Sequence, residues 1–224
     1  MSLRVLITRE TAEPLQGLLL EGGVEVVHVP LVAISATGAP VPAVSPDVIV
    51  VTSAAVVRCV PNLSMLLPDA PVAAVGEATA SALEVIGIRS TWVGTTGGGD
   101  LIEGLPDPQA SLLYVGAVEP SKGVCDALSA HAGPAQRWGV YVNRAPDGAA
   151  DALASAGLVD LVALTSPSAA QRYAALAQRY APVVAIGPTT ARAAREAGLD
   201  VVSQAEAPRV DALAAAILAR QPED

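Results

Sequence analysis

The chain has 224 residues, 52% of them hydrophobic and only 3% aromatic, so its core must be aliphatic, as suits buried strands covered by helices. A formal net charge of −9 argues against a nucleic-acid-binding protein, which normally carries a basic patch. No apolar run reaches the roughly 18 residues that a membrane helix needs, and Cys59 and Cys125 lack the spacing of a disulfide framework.

The N-terminal segment has a strand–helix–strand pattern. It enters a strand at once, from Leu3 to Ile7, and a second strand is predicted from Val24 to Val29. This start leaves no room for a signal peptide, so we expect a cytoplasmic protein. The following segment, Ser35 to Pro42, carries the Gly and Pro that are typical of a linker.

Two segments in the middle of the chain recur near its C-terminus. Each copy is a short apolar run, the signature of a buried strand, followed by small polar residues and a helical pattern. Gly87 and Gly198 occupy equivalent places and are predicted to end helices in the left-handed conformation. The paired segments are Asp47 to Ser53 with Asp160 to Ser166, and Pro71 to Ala80 with Pro182 to Ala191.

A weaker echo of the N-terminal pattern lies at Ser111 to Gly116 and Trp138 to Val142. The order of the echoes predicts an inserted lobe, residues 38–142, within a discontinuous lobe formed by residues 1–33 and 147–224. Residues 34–37 and 143–146 would be the hinge linkers. Because strands alternate with helices, we expect an α/β fold of two similar doubly wound parallel-sheet lobes, flavodoxin-like in type.

Small polar residues follow the predicted strands. Ligands of open parallel sheets bind beyond the carboxyl ends of the strands, where helix N-termini offer unpaired N–H groups to anions. We therefore expect a ligand in the cleft between the lobes, although each Ser or Thr could simply cap its helix. The segments are Thr8-Arg9, Thr52-Ser53, Gly76 to Thr79, Gly116 to Lys122, Thr165 to Ser168 and Gly187 to Thr190.

The sequence lacks the motifs of several common nucleotide-binding, hydrolase and metal sites. No G-x-G-x-x-G motif follows a strand, and neither a Walker loop nor a G-x-S-x-G elbow is present. His28 and His131 have no nearby partner ligands, so a structural or surface role is expected for both. We therefore predict no metal or dinucleotide site.

Taken together, these segments resemble the uroporphyrinogen-III synthase family over essentially the whole chain. The segment Ala185 to Arg192 is the most specific of those that support the resemblance, and their order and spacing support it as well. They are Leu6 to Arg9, Thr52-Ser53, Val75-Gly76 with Thr79-Ala80, Val140-Tyr141, Thr165 to Ser168 and Ala185 to Arg192.

The resemblance implies that the substrate is hydroxymethylbilane, a linear tetrapyrrole with eight carboxylate side arms. The enzyme removes its hydroxyl as water, inverts ring D through a spiro intermediate and closes the macrocycle, without a cofactor or metal. Unaided closure gives the type I isomer, so the protein must select a conformation. We expect a monomer with no nucleic-acid or membrane partner, and a transient handover of substrate from hydroxymethylbilane synthase.

The resemblance also implies residue roles. Tyr141 matches the family's tyrosine that assists loss of the hydroxyl; alternatively, it only packs between the lobes. We predict Tyr141 and Thr190 as catalytic residues, with Lys122, Arg9, Arg144 and Arg192 as candidate local charges. The predicted substrate-binding residues are Thr8, Arg9, Ser53, Ala54, Gly76, Thr79, Gly116, Lys122, Ser166, Pro167, Ser168, Gly187, Pro188 and Thr189.

The sequence departs from the family pattern at two places. Ala54-Ala55 stands where the family often has Asn, and Gly76-Glu77 stands where it often has Gly-Pro. Glu77 would repel a carboxylate if it faced the ligand. The alternatives are a two-lobed small-molecule binding protein of the periplasmic or repressor-effector type and a two-lobed glycosyltransferase. The first has no export signal or DNA-binding headpiece here, and the second would need a longer chain.

Overall fold

The computed structural model of the chain describes residues 2–95 and 97–221. In chain order, its elements are β1 (Arg4–Ile7), α1 (Leu15–Glu21), β2 (Glu25–His28), β3 (Ala33–Ala36), β4 (Val48–Val51), α2 (Ala55–Cys59), α3 (Leu63–Leu66), β5 (Val72–Val75), α4 (Glu77–Val85), β6 (Ser90–Gly94), α5 (Gly98–Glu103), β7 (Leu112–Ala117), α6 (Lys122–Ala130), β8 (Ala135–Arg144), α7 (Ala149–Ser155), β9 (Leu161–Leu164), α8 (Pro167–Leu176), β10 (Val183–Ala185), α9 (Pro188–Glu196), β11 (Val201–Gln204) and α10 (Val210–Leu218).

The chain divides into two compact units. Unit 1 comprises the residues up to Ala33 together with those from Arg144 onward, and unit 2 comprises Ile34–Asn143. Each unit has its own sheet and its own core, because its strands pair only with strands of the same unit.

Unit 1 is a parallel sheet in the order β11-β10-β9-β1-β2. Its central strands β1 and β9 are almost wholly apolar and buried on both faces, as parallel strands require. Helices α1 and α10 cover one face through side chains such as Leu19 and Ile217. Helices α7, α8 and α9 cover the other face through side chains such as Leu153, Tyr173 and Ala194.

Unit 2 has the strand order β3-β8-β7-β4-β5-β6, in which the pairs from β8 to β6 are parallel. Helices α2, α3 and α4 pack on one face around Val56, Leu63 and Leu83. Helices α5 and α6 pack on the other face around Ile102 and Val124. Helices α5 and α6 also approach each other closely, since a Cβ on Gly99 would lie 2.8 Å from the Gly123 carbonyl oxygen.

The two sheets share one topology in different chain order. If β7 and β8 are matched to β1 and β2, and β4, β5 and β6 to β9, β10 and β11, both sheets have the flavodoxin-type order 2-1-3-4-5. The predicted fold class is confirmed. In this order the direction of winding reverses between β1 and β9 in unit 1 and between β7 and β4 in unit 2.

The predicted linkers need a correction. Most of the segment 34–37 belongs to strand β3, and residues 143 and 144 are the end of strand β8. The segment is held against β8 because the Thr37 hydroxyl donates to the Gly139 carbonyl at 2.8 Å and the Trp138 indole donates to the Ala39 carbonyl at 2.9 Å. Gly and Pro mark the chain just after β3, where it leaves the sheet.

Gly87 and Gly198 have φ values of +83° and +80°, as predicted for left-handed residues after a helix. No atom lies within 4 Å of a Cβ added at Gly198, so a substitution there would meet backbone strain alone. We expect Gly198→Ala to lower the free energy of unfolding by about 1 kcal/mol.

The matched control is Gly123→Ala, which also adds a Cβ in open space but at a helical residue without positive φ. It should raise the free energy of unfolding by about 0.5 kcal/mol, because it restricts the unfolded chain. Urea unfolding of both variants measures the difference, and equal stabilities would contradict the left-handed cap.

Candidate active site

The carboxyl edge of each sheet, where its parallel strands end, gathers the predicted site residues. In unit 1 these are Thr8 and Arg9 after β1, Ser166, Pro167 and Ser168 at the start of α8, and Gly187, Pro188, Thr189 and Thr190 at the start of α9. In unit 2 they are Ser53 and Ala54 after β4, Gly76 and Thr79 at the start of α4, Gly116 on β7, Lys122 at the start of α6 and Tyr141 on β8.

Thr8 is fully buried at the end of β1. Its hydroxyl donates a hydrogen bond of 2.9 Å to the carbonyl of Ala163 on the neighbouring strand β9. A ligand could use this hydroxyl only by breaking a buried hydrogen bond, which costs about 1–3 kcal/mol. We therefore revise the expected role of the Thr8 side chain from substrate binding to fixing the two central strands at their carboxyl ends.

Arg9 carries a buried donor with nothing to bind in the described residues. Its Nη1 atom is buried and has no hydrogen-bond partner there. The backbone of Arg9 is held, since its carbonyl lies 2.9 Å from Nε2 of His28. Buried polar groups are nearly always paired in proteins, with protein groups, water or a bound ligand. Among ligands, planar carboxylates fit a guanidinium best.

The starts of α8 and α9 differ in their capping. Ser166 accepts a hydrogen bond of 3.2 Å from the Ala169 N–H and lies 3.2 Å from the Ser168 hydroxyl, so it does cap α8. At α9 the cap residue is Gly187, which has no side chain to accept from the first turn. Pro188 has no N–H group and the Ala191 N–H donates to the Gly187 carbonyl at 2.9 Å, so within the described part of the chain the N–H groups of Thr189 and Thr190 are those left for water or an anion.

Thr190 lies in that first turn and is only 3% exposed. It is not the capping residue, since the helix begins at Pro188 after Gly187. The alternative that Thr190 acts only as a helix cap is therefore wrong. Thr189, beside it, is exposed.

In unit 2, helix α4 also begins without a side-chain cap. Gly76 has φ +77°, and its N–H donates to the Gly94 carbonyl at 2.7 Å. Thr79 is 4% exposed, whereas Glu77 lies exposed in the same first turn. The Glu77 carboxylate thus stands where an approaching anion would be repelled, which makes α4 a poorer anion site than α9.

Tyr141 is buried at the level where β7 ends, opposite Ala117. Its phenol forms a hydrogen bond with the Ser53 side chain, and Ser53 also accepts from the Ala55 N–H at 3.2 Å. Burial raises the pKa of Tyr141 above its usual range, and the bond to Ser53 opposes that shift only in part. The phenol therefore keeps its proton throughout the neutral range and is a donor there.

The structure adds a residue that the sequence analysis missed. Tyr114 on β7 is 1% exposed, and its phenol receives a hydrogen bond of 3.4 Å from the Thr52 hydroxyl. A Cβ on Gly116 would meet the Tyr114 hydroxyl oxygen in a severe clash, so the tyrosine occupies the space beside this glycine. Within the apolar run Leu112 to Val115, only the glycine that follows it hints at such a close approach.

The other candidate charges lie on the surface. Lys122 is paired with Asp126 at 2.7 Å, and its side chain is 90% exposed. Arg192 lies 3.9 Å from Glu196 and is also exposed, as is Arg144. Exposed pairs of this kind contribute about 0–1 kcal/mol. Of these four candidate cations, Arg9 alone has a buried charged nitrogen without a partner in the described residues.

A cavity of about 430 Å³ in unit 1 lies away from these residues. It is lined at the other edge of the sheet by residues that precede β9 and β10, such as Val159 and Pro182, and by Tyr173 and Tyr180. The candidate active site is thus the carboxyl edge, and this cavity is not part of it.

In residues 2–95 and 97–221, no group of three or more His, Cys, Asp or Glu side chains could hold a metal ion. None of the described helices has both the length and the apolar content to cross a membrane.

Comparison with known proteins identifies the family of the chain. Residues 13–215 match the model of the family described as Uroporphyrinogen-III synthase HemD. The fold is similar to that of a mutant uroporphyrinogen III synthase from the extremely thermophilic bacterium Thermus thermophilus, with a TM-score of 0.73 and 21% identity over 95% of this chain and 96% of that chain. It is also similar to uroporphyrinogen-III synthetase from Helicobacter pylori, with a TM-score of 0.69 and 18% identity over 99% and 100% of the two chains.

At these identities the structural similarities show the fold alone, and no curated protein matches the sequence significantly. The family match spans most of the chain and therefore shows the family. It gives no support to the alternative of a two-lobed binding protein without catalysis.

Proposed function

Because the chain belongs to the uroporphyrinogen-III synthase family, a family of cyclising lyases in tetrapyrrole biosynthesis, we propose how its residues carry out that reaction. Carboxylates of hydroxymethylbilane bind at the carboxyl edge of the unit 1 sheet, and Tyr141 assists loss of its hydroxyl group. The observation that supports this most directly is the buried nitrogen of Arg9, which has no hydrogen-bond partner among the described residues and is a charged donor suited to a carboxylate.

The binding groups suit a polyanion on an acidic protein. Eight carboxylates approach a chain of net charge −9, so long-range electrostatics oppose binding. First-turn amides of α8 and α9 provide donors that add no net charge. Each hydrogen bond to a charged group contributes about 1.5–3 kcal/mol, so a few such contacts together with Arg9 offset the repulsion.

Tyr141 can supply the proton that the leaving hydroxyl needs. Its phenol donates the proton, the C–O bond breaks with its electron pair on the oxygen, and water leaves. Because burial raises the pKa of Tyr141, the donor form persists over the whole neutral range. The rate should therefore not fall through ionisation of Tyr141 until the pH exceeds the ordinary tyrosine range near about 10.

Once the hydroxyl is lost, holding the chain ends in one geometry decides the product. The bilane closes by itself to the type I isomer, so the protein must favour attack through the spiro intermediate over direct closure. Fixed positions of reacting ends can accelerate a step by many orders of magnitude. Rigid donors on helices give this control better than long flexible side chains do.

We also propose that the enzyme works as a monomer in the cytoplasm and receives its substrate by transient handover from hydroxymethylbilane synthase. The support is chemical: the substrate cyclises unaided, so a short path between the two enzymes limits the type I side product.

The purified protein with hydroxymethylbilane and no added cofactor should form the type III isomer.

Tyr141→Phe removes the proton donor and Thr190→Ala removes a hydroxyl from the first turn of α9. We expect each to slow type III formation about ten- to a hundredfold, because Thr190→Ala loses one hydrogen bond to a charged group and Tyr141→Phe loses a general acid. Chromatography of the product isomers measures the rate, and the melting temperature of the same samples shows that each variant is folded.

Two results would contradict this account. One is a wild-type product that contains only type I, as in a reaction without protein. The other is full activity in both variants.

Arg9→Met tests the anion site, because it removes the charge and keeps an apolar chain of similar length. We expect KM to rise about tenfold, while the unliganded protein keeps or gains stability, since a buried unpaired donor is gone. The matched control is Arg195→Met near the end of α9, whose side chain is exposed. Its KM should stay unchanged. If Arg9→Met lowers the melting temperature and leaves KM unchanged, the guanidinium is structural and the proposed anion site is wrong.

A further inference from the structure

Tyr114 is a buried polar side chain in the middle of an apolar strand. It lies on β7 beside Val50 of β4 and among the aliphatic side chains that pack α5 and α6 onto the sheet. Burial raises the pKa of Tyr114 to about 12, so the phenol stays neutral under all ordinary conditions. A Phe would fill the same apolar space without a polar group to satisfy, so the hydroxyl calls for an explanation.

The Tyr114 hydroxyl joins two strand ends at the point where unit 2 reverses its winding. It accepts a hydrogen bond of 3.4 Å from the Thr52 hydroxyl, just after β4, and donates one of 3.4 Å to the Ala117 carbonyl at the end of β7. Both bonds are long but buried in part, where a hydrogen bond is stronger than in water. One hydroxyl thus ties together the ends of the two central strands.

Both groups that the Tyr114 hydroxyl binds lie next to residues that contact Tyr141. Ser53, the residue after Thr52, forms the hydrogen bond to the Tyr141 phenol. Ala117 is the partner of Tyr141 across β7 and β8, and the next residue, Val118, donates from its N–H to the Tyr141 carbonyl at 2.8 Å. The register between β7 and β8 shifts between Gly116 and Ala117, so the ladder alone leaves this point irregular.

We propose that Tyr114 is a positioning residue for Tyr141. Through Thr52 it holds the turn that carries Ser53, and through the Ala117 carbonyl it holds the irregular end of β7 against which Tyr141 lies. This inference rests on the proposed function, because it assigns to Tyr114 an effect on the proton donor. The Tyr114 hydroxyl is already engaged with the Thr52 hydroxyl and the Ala117 carbonyl, so it acts through these neighbours.

The test is a double-mutant cycle with Tyr114→Phe, Tyr141→Phe and the double variant, with type III formation as the readout. Tyr114→Phe keeps the ring and removes the hydroxyl. It should lower kcat about three- to tenfold and leave KM unchanged. If Tyr114 acts through Tyr141, the double variant is no slower than Tyr141→Phe alone, because the proton donor that Tyr114 positions is already absent.

The matched control is Tyr173→Phe in unit 1. Tyr173 is also buried, and its hydroxyl also donates to a carbonyl at 3.4 Å, that of Arg179, but it lies away from the carboxyl edge. It should show a comparable change in melting temperature with wild-type kcat. This separates positioning from a general loss of stability. If Tyr114→Phe does not fold, Thr52→Val removes the other end of the same bond and enters the cycle in its place.

The outcomes distinguish the inference from the function on which it rests. Wild-type kcat in Tyr114→Phe, or single effects that multiply in the double variant, would overturn the positioning role while Tyr141 remains the donor. A Tyr141→Phe variant as fast as wild type would overturn the catalytic assignment, and the positioning role with it. A slow Tyr114→Phe whose effect disappears in the Tyr141→Phe background supports the inference.

Discussion

A parallel strand can be followed by its neighbour only after the chain has crossed back over the sheet, and here most crossings are made by helices. That constraint places the start of a helix just beyond the carboxyl end of one strand after another. Each helix start leaves N–H groups that no helical carbonyl can satisfy. In this chain the groups are collected along one edge of each sheet, and the candidate site follows from this geometry before any particular side chain is considered.

The side chains refine what the backbone supplies. At α8 a serine satisfies one of the free donors, at α9 a glycine leaves them free, and at α4 an exposed glutamate opposes an anion. The lysine at the start of α6 is engaged with an aspartate one turn on. Among these positions we propose the first turn of α9 as the strongest anion site, with Arg9 as the buried charge. Such donors would let a strongly acidic protein hold a polyanionic substrate.

The sequence predicted the architecture well, because the apolar strands at Val48–Val51 and Leu161–Leu164 and their flanking small residues recur at corresponding places. The prediction from sequence failed where contacts between residues distant in the chain determine the structure. Residues 34–36 have too many small residues to stand out as a strand, and they pair only because β8 is present beside them. The sequence does not show whether a given hydroxyl binds a ligand or another group of the protein. In the structure, the Thr8 hydroxyl binds a strand carbonyl. The role of Tyr114 could not be recognised from the sequence, because an aromatic residue within an apolar run ordinarily belongs to the hydrophobic core.

The central claim is that backbone donors at helix starts, with Arg9, hold the carboxylates of the substrate. The most direct measurement is a crystal structure with the cyclised tetrapyrrole product bound. The account predicts product carboxylates within hydrogen-bond distance of the first-turn N–H groups of α9 and of the Arg9 guanidinium, with Lys122 still paired to Asp126. Product carboxylates held instead by exposed side chains such as Lys122 and Arg192, with water at the first turn of α9 and at Arg9, would contradict it.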